Sequence, residues 1–163
     1  MRLTRWMVVV AVSIFTLAFA LTARAQTRKP GLWKVTSTMT WQKSPFPSGA
    51  SPMSTPHTNE ICVTQQQIDK YGTVPPQARG ECQITNVLKT TDSMTADIEC
   101  SGHMQGKGHV QASWTEENHS TSTVHFQGVM QMGPEPKPFE WTVQSNAIFE
   151  SSDCGSVKPF DAK

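Results

Sequence analysis

From Cys82 to Met132 the apolar residues fall on every second position, and no other feature restricts the fold as strongly. Ile84 and Leu88 are followed by Met94, Ala96 and Ile98, then by Val110, Ala112 and Trp114, then by Val124, Phe126, Met130 and Met132. A period of two sends alternate side chains to opposite faces of a strand, so each run is a strand with one buried face. Turn-like segments, TTD, SGHMQG and EEN, separate the runs. Four consecutive antiparallel strands are expected, with Gly106-Lys107-Gly108 read as ordinary turn chemistry.

The flanking sequence extends the pattern. Trp33, Val35, Met39 and Trp41 share one parity and Lys34, Thr36, Thr38 and Thr40 the other, which predicts a first strand launched by Pro30-Gly31. Residues 42–57 carry Pro45, Pro47, Pro52 and Pro56 and lose all periodicity, so they read as a long loop. Thr58 to Val63 reads as a short strand. Thr64, with Gln67 three residues on, forms a capping box for a brief helix. A helix this short must pack on the sheet or be tied down through Cys62. After a connector at 72–81 and the central strands, Phe139, Trp141, Val143, Ala147 and Phe149 mark a last strand. The expected fold is all-β: an antiparallel meander of about seven strands curved into an open barrel or sandwich, with one short helix.

The first residues bear on the compartment. Arg2 and Arg5 precede an apolar run from Trp6 to Leu21, and Ala23-Arg24-Ala25 has the small-x-small form of a signal-peptide cleavage site. The run is slightly short for a spanning helix. Residues 1–25 are therefore read as a signal peptide, and 26–163 as one disulfide-stabilised domain, periplasmic or secreted, with no stable membrane insertion after cleavage. Losing Arg2, Arg5 and Arg24 takes the formal charge from +1 to −2. A chain of that charge has no electrostatic footprint for nucleic acid.

Cys62, Cys82, Cys100 and Cys154 all lie beyond the cleavage site. An even count in an exported chain predicts two disulfides, and the lack of any Cys-x-x-Cys pair argues against zinc. Two connectivities have a physical case. Cys62–Cys82 with Cys100–Cys154 would anchor the helix and connector, and the expectation leans towards it. Cys82–Cys100 with Cys62–Cys154 is the rival: a turn at Thr90-Thr91-Asp92 makes Cys82 and Cys100 direct cross-strand partners.

Several short motifs stand in a recognisable order. Pro30-Gly31-Leu32-Trp33, Cys62-Val63-Thr64 before the Gln-rich helix, Gly80-x-Cys82, Glu99-Cys100 and Asp153-Cys154-Gly155 resemble a family of small exported bacterial proteins known only as a domain of unknown function. The resemblance spans nearly all of the chain after residue 25. It implies a bacterial envelope protein with four structural cysteines, and it carries no activity. The histidines depart from that pattern, which has Thr, Ser or Gly on the strands, so nothing argued from them rests on the family.

Two constellations remain. Trp33, Trp41, Trp114, Phe126 and Trp141 share the inward parity; they either fill a small curved sheet or wall a cavity for an apolar ligand. His109 and His125 share the outward parity. A three-residue loop at Glu116-Glu117-Asn118 makes them direct cross-strand partners, as a weak divalent-metal site requires. No third ligand stands near, and two solvated polar side chains are the simpler reading. No catalytic or cofactor motif is present. The composite expectation is a non-enzymatic binding or interaction module for a small apolar ligand or an envelope partner, with a ligand-free structural protein as the alternative.

Overall fold

The computed structural model describes residues 28–47, 55–76 and 80–159. The expected signal peptide and much of the proline-rich loop lie outside the described residues. Within them are seven strands: β1 (Gly31–Lys43), β2 (His57–Val63), β3 (Cys82–Lys89), β4 (Ser93–Ser101), β5 (Met104–Glu116), β6 (His119–Gln131) and β7 (Pro136–Ser151). The helix α1 (Gln65–Tyr71) comes directly after β2. All seven strands belong to one antiparallel sheet, ordered β2-β1-β7-β6-β5-β4-β3. The meander from β3 to β7 thus returns to lie beside β1, and the all-β reading holds.

The sheet is curled without being closed. Val35 and Ile61, from the β1–β2 end, and Met94 and Ile98, from β4, border the same cavity. In a flat sheet the five spacings from β2 to β4 would span about 24 Å, too far for both to border one small cavity. β2 and β3 are the two ends of the sheet and do not pair. α1 fills the gap between them. Its Ile68 joins Trp33 and Val63 in one apolar cluster, and its Tyr71 joins Met94, Trp114 and Phe126 in the other. The Lys89 ammonium on β3 donates to the Asp69 carbonyl of the helix.

The capping box forms as expected. The Gln67 amide donates to the Thr64 hydroxyl at 3.2 Å, and the Thr64 amide donates to the Gln67 side-chain oxygen at 2.8 Å. Gly72 ends the helix in the left-handed region, at φ 75°. A Cβ there would also lie 2.6 Å from the Trp114 ring, so glycine answers both the turn and the packing.

One inward assignment and one turn assignment differ from the sequence pattern. Leu88 is 70% exposed, and Val87 packs on the core instead. A bulge between Thr85 and Leu88, with Asn86 at φ 51°, inserts a residue and reverses the parity of the rest of the strand. Gly106 and Gly108 are not turn residues but lie inside β5. A Cβ on Gly108 would meet the Phe126 ring at 2.5 Å, so the missing side chain is what lets that ring lie flat on the sheet.

The disulfides are Cys82–Cys100 and Cys62–Cys154, which overturns the favoured pairing. Cys82 and Cys100 are direct register partners, with Cα atoms 4.0 Å apart. Cys154 lies just beyond Ser151, which pairs with Leu32, and Leu32 pairs with Cys62. β2 and β7 therefore finish at the same end of the sheet, away from Cys100. The helix needs no bridge to Cys82, because Ile68, Tyr71 and the Lys89 contact hold it.

Candidate functional site: the concave face

The inward side chains form rows that run across the strands, and the rows differ in size. Trp41, Trp141, Phe126, Gly108 and Ile98 are successive register partners and make the bulky row. Phe126 stacks on Trp141 with centroids 5.2 Å apart and on Phe139 at 5.8 Å. Trp41 meets Phe139 edge-on at 6.3 Å. One step along the strands, Met39, Val143, Val124, Val110 and Ala96 form an aliphatic row. The next step holds Ser37, Ser145, Ser122 and Ala112, all small. Beyond them, Trp33, Ile61 and Ile68 close the other end of the face.

A row of small side chains between two bulky ends leaves space. The resulting cavity has a volume of about 380 Å³ and is lined by both the aliphatic and the serine rows. That volume falls in the ~300–1,000 Å³ range of small-molecule sites. Thr73, Val74, Pro75 and Pro76, from the segment after α1, lie along it, and the Thr73 hydroxyl donates to Ser120 at 2.8 Å. The Ser37 and Ser145 hydroxyls are 2.8 Å apart. Ser37 has His57 as a register partner, yet its hydroxyl is paired with Ser145, and no nucleophile–base hydrogen bond forms there among the described residues.

Of the five rings expected at a ligand site, Trp141 lines the cavity. Trp33 is fully buried, and its indole N–H donates to the Lys29 carbonyl. The Trp114 indole donates to the Thr91 carbonyl, and Arg28 lies over its ring, 4.8 Å from the centroid. Trp41 and Phe126 belong to the ring stack. Sequence reasoning missed the serine row. Its only signal was three serines at inward parity, Ser122 and Ser145 on the consecutive β6 and β7 and Ser37 far away in the chain on β1.

His109 and His125 are register partners on the outer face, as expected. Each ring is held by a carboxylate on its far side. His109 Nδ1 donates to Asp97 at 2.9 Å, and His125 Nε2 donates to Glu140 at 2.8 Å. Asp97 also accepts from the Asn86 amide at 2.8 Å. The hydrogen bond from His109 and then that from Asn86 hold the Asp97 carboxyl below its ordinary range. Among the described residues no three His, Cys, Asp or Glu side chains converge as a metal-binding group. The same face carries Lys107–Glu99 at 2.9 Å and Lys34–Glu150 at 3.8 Å, the charged cross-strand pairs of a face turned to water.

Among the described residues no helix is long and apolar enough to cross a membrane. The two disulfides are bonds that persist in oxidising compartments. No curated protein and no solved structure matches the chain. A family model described as "Protein of unknown function (DUF3617)" matches residues 28–154, from the approach to β1 through the last cysteine, and the chain belongs to that family.

Proposed function

We infer that this is an exported, non-enzymatic binding module of the bacterial envelope that takes a small apolar ligand into its concave face. One observation carries the reading: the row of Ser37, Ser145, Ser122 and Ala112 leaves a cavity where larger side chains would have completed the core. A purely structural sheet has no need of that gap, since unfilled apolar volume costs stability. Export is supported by the Arg2/Arg5 start, the apolar run after it and the two disulfides. N-terminal sequencing of protein from the periplasmic fraction should begin at Gln26. The ligand is tested by extracting the native protein with organic solvent and analysing the extract by mass spectrometry. A lipid-like species near stoichiometric amount is expected, and it should be lost in Ala112→Phe, which fills the cavity. An extract empty in both proteins would return the chain to the structural reading.

The histidine pair supports a second, weaker reading. A carboxylate only accepts, so His109 Nδ1 and His125 Nε2 carry the protons, which leaves the His109 Nε2 and His125 Nδ1 lone pairs open. Carboxylates behind the rings are the usual outer partners of metal-binding histidines. With only two ligands, zinc should bind more weakly than micromolar and lose that binding in His109→Ala. Calorimetry measures it; a sub-micromolar site would make the outer face the primary one.

A further inference from the structure

We propose that the cavity selects a neutral lipid bearing an acceptor oxygen, a fatty ester or long-chain alcohol, over the carboxylate of the same chain; this rests on the reading of the concave face as a ligand site. The first argument is the charge of the wall. Aliphatic side chains, prolines, Trp141, small hydroxyl residues and the Asn59 amide line the cavity, and no Asp, Glu, Lys, Arg or His is among the described lining residues. An ionised carboxylate moved from water into such a space loses its hydration and gains no counter-charge. A neutral ester or alcohol avoids that loss.

The second argument is the hydroxyl inventory. Ser37 and Ser145 face each other at 2.8 Å, and a hydroxyl pair uses one of its two protons internally. The other proton is left to donate. Ser122 stands next in the row as the register partner of Ser145, and its side chain has no hydrogen-bond partner among the described residues. The row thus offers two O–H donors side by side, next to the aliphatic row of the wall. A ligand that places one oxygen there satisfies them. Its hydrocarbon chain then lies along Met39, Val143, Val124 and Val110 towards Trp141. A plain hydrocarbon would leave the donors unpaired, and an ionised acid would bring a charge the wall does not balance.

The experiment is displacement of N-phenyl-1-naphthylamine from the oxidised protein by methyl dodecanoate, dodecanol and dodecanoate at neutral pH. The ester and the alcohol should displace the probe at concentrations about tenfold below those needed for the carboxylate. Ser122→Ala should weaken the ester and the alcohol several-fold and leave the melting temperature unchanged. Equal or better displacement by dodecanoate overturns the selectivity while leaving the cavity reading in place. Unchanged ester binding in Ser122→Ala overturns the role of the serine row. Failure of all three to displace the probe, or equal displacement from Ala112→Phe, overturns the cavity reading and the selectivity with it.

Discussion

Asp97 accepts hydrogen bonds from two side chains on opposite flanks, the His109 imidazole on β5 and the Asn86 amide on β3. Both favour the charged carboxylate, so its folded pKa lies below the unfolded value. A depressed carboxylate stabilises the fold only while it is ionised. Its contribution is fully present above the ordinary aspartate range of about 4, and it is lost as pH falls through the depressed folded value. Asp97→Asn should therefore lower stability modestly at neutral pH, where the charged carboxylate contributes, leave it little changed in acid, and so flatten the acid limb of the stability–pH profile below about pH 4. Urea unfolding at a series of pH values measures this. An unaltered acid limb would mean that these exposed bonds contribute nothing measurable, as many surface pairs do. At the same scale, Ser122 contrasts with Asp97: one side chain is satisfied twice, whereas the other hydroxyl is left open beside a cavity.

β5 and β6 work as a pair because one side gives up its side chains. Phe126 lies across Gly108 and Gly106 and stacks on Trp141 beyond. Gly108→Val would press on the Phe126 ring and on the His125 carbonyl, which lies 2.9 Å from a Cβ there. Overpacking of this kind costs about 1–3 kcal/mol. A corresponding drop in the urea midpoint is expected at constant m-value; an unchanged midpoint would show that the ring can move aside. The register of these strands was legible in the sequence through an accident of compensation. The β5–β6 turn is one residue shorter than the spacing implied, with Glu116 opposite His119, and an irregularity after Ser113 restores the pairing that sets His109 against His125. In β3 the bulge at Asn86 does the same for Cys82 and Cys100 and also turns Leu88 outward, which alternation alone had placed inside. Bulges leave little trace in a hydrophobic pattern. The serine row was illegible for a related reason: period-two reading weights apolar positions, and a small polar residue at inward parity carries no weight in it.

The molecule as a whole is a curled sheet whose two end strands never meet, with α1 in the gap and a covalent staple at each end. Curl brings β2 and β4 to one cavity, so the fold and the candidate site share the same cause. The sequence pointed to the curl through its inward aromatics but not to the strand order. Placing β7 beside β1 depends on long-range packing, and that order is what sets Cys154 near Cys62. The two bridges differ in what they restrain. Cys82–Cys100 spans 18 positions between neighbouring strands already joined by a turn. Cys62–Cys154 spans 92 and ties the C-terminal tail to the sheet's β2 edge, where Pro159 forms a parallel bridge with Cys62. Loop-closure entropy assigns about 3 kcal/mol to the shorter loop and about 5 kcal/mol to the longer. The Cys62→Ser/Cys154→Ser double variant should therefore unfold at lower urea than the Cys82→Ser/Cys100→Ser variant. A non-reducing tryptic map of the native protein should first show the peptide from Gly80 to Lys89 joined to that from Thr90 to Lys107. If the shorter bridge proves the costlier to remove, its effect lies in the folded state, where Cys100 is buried in the core beside Ile98, and chain entropy is not what makes these bridges matter.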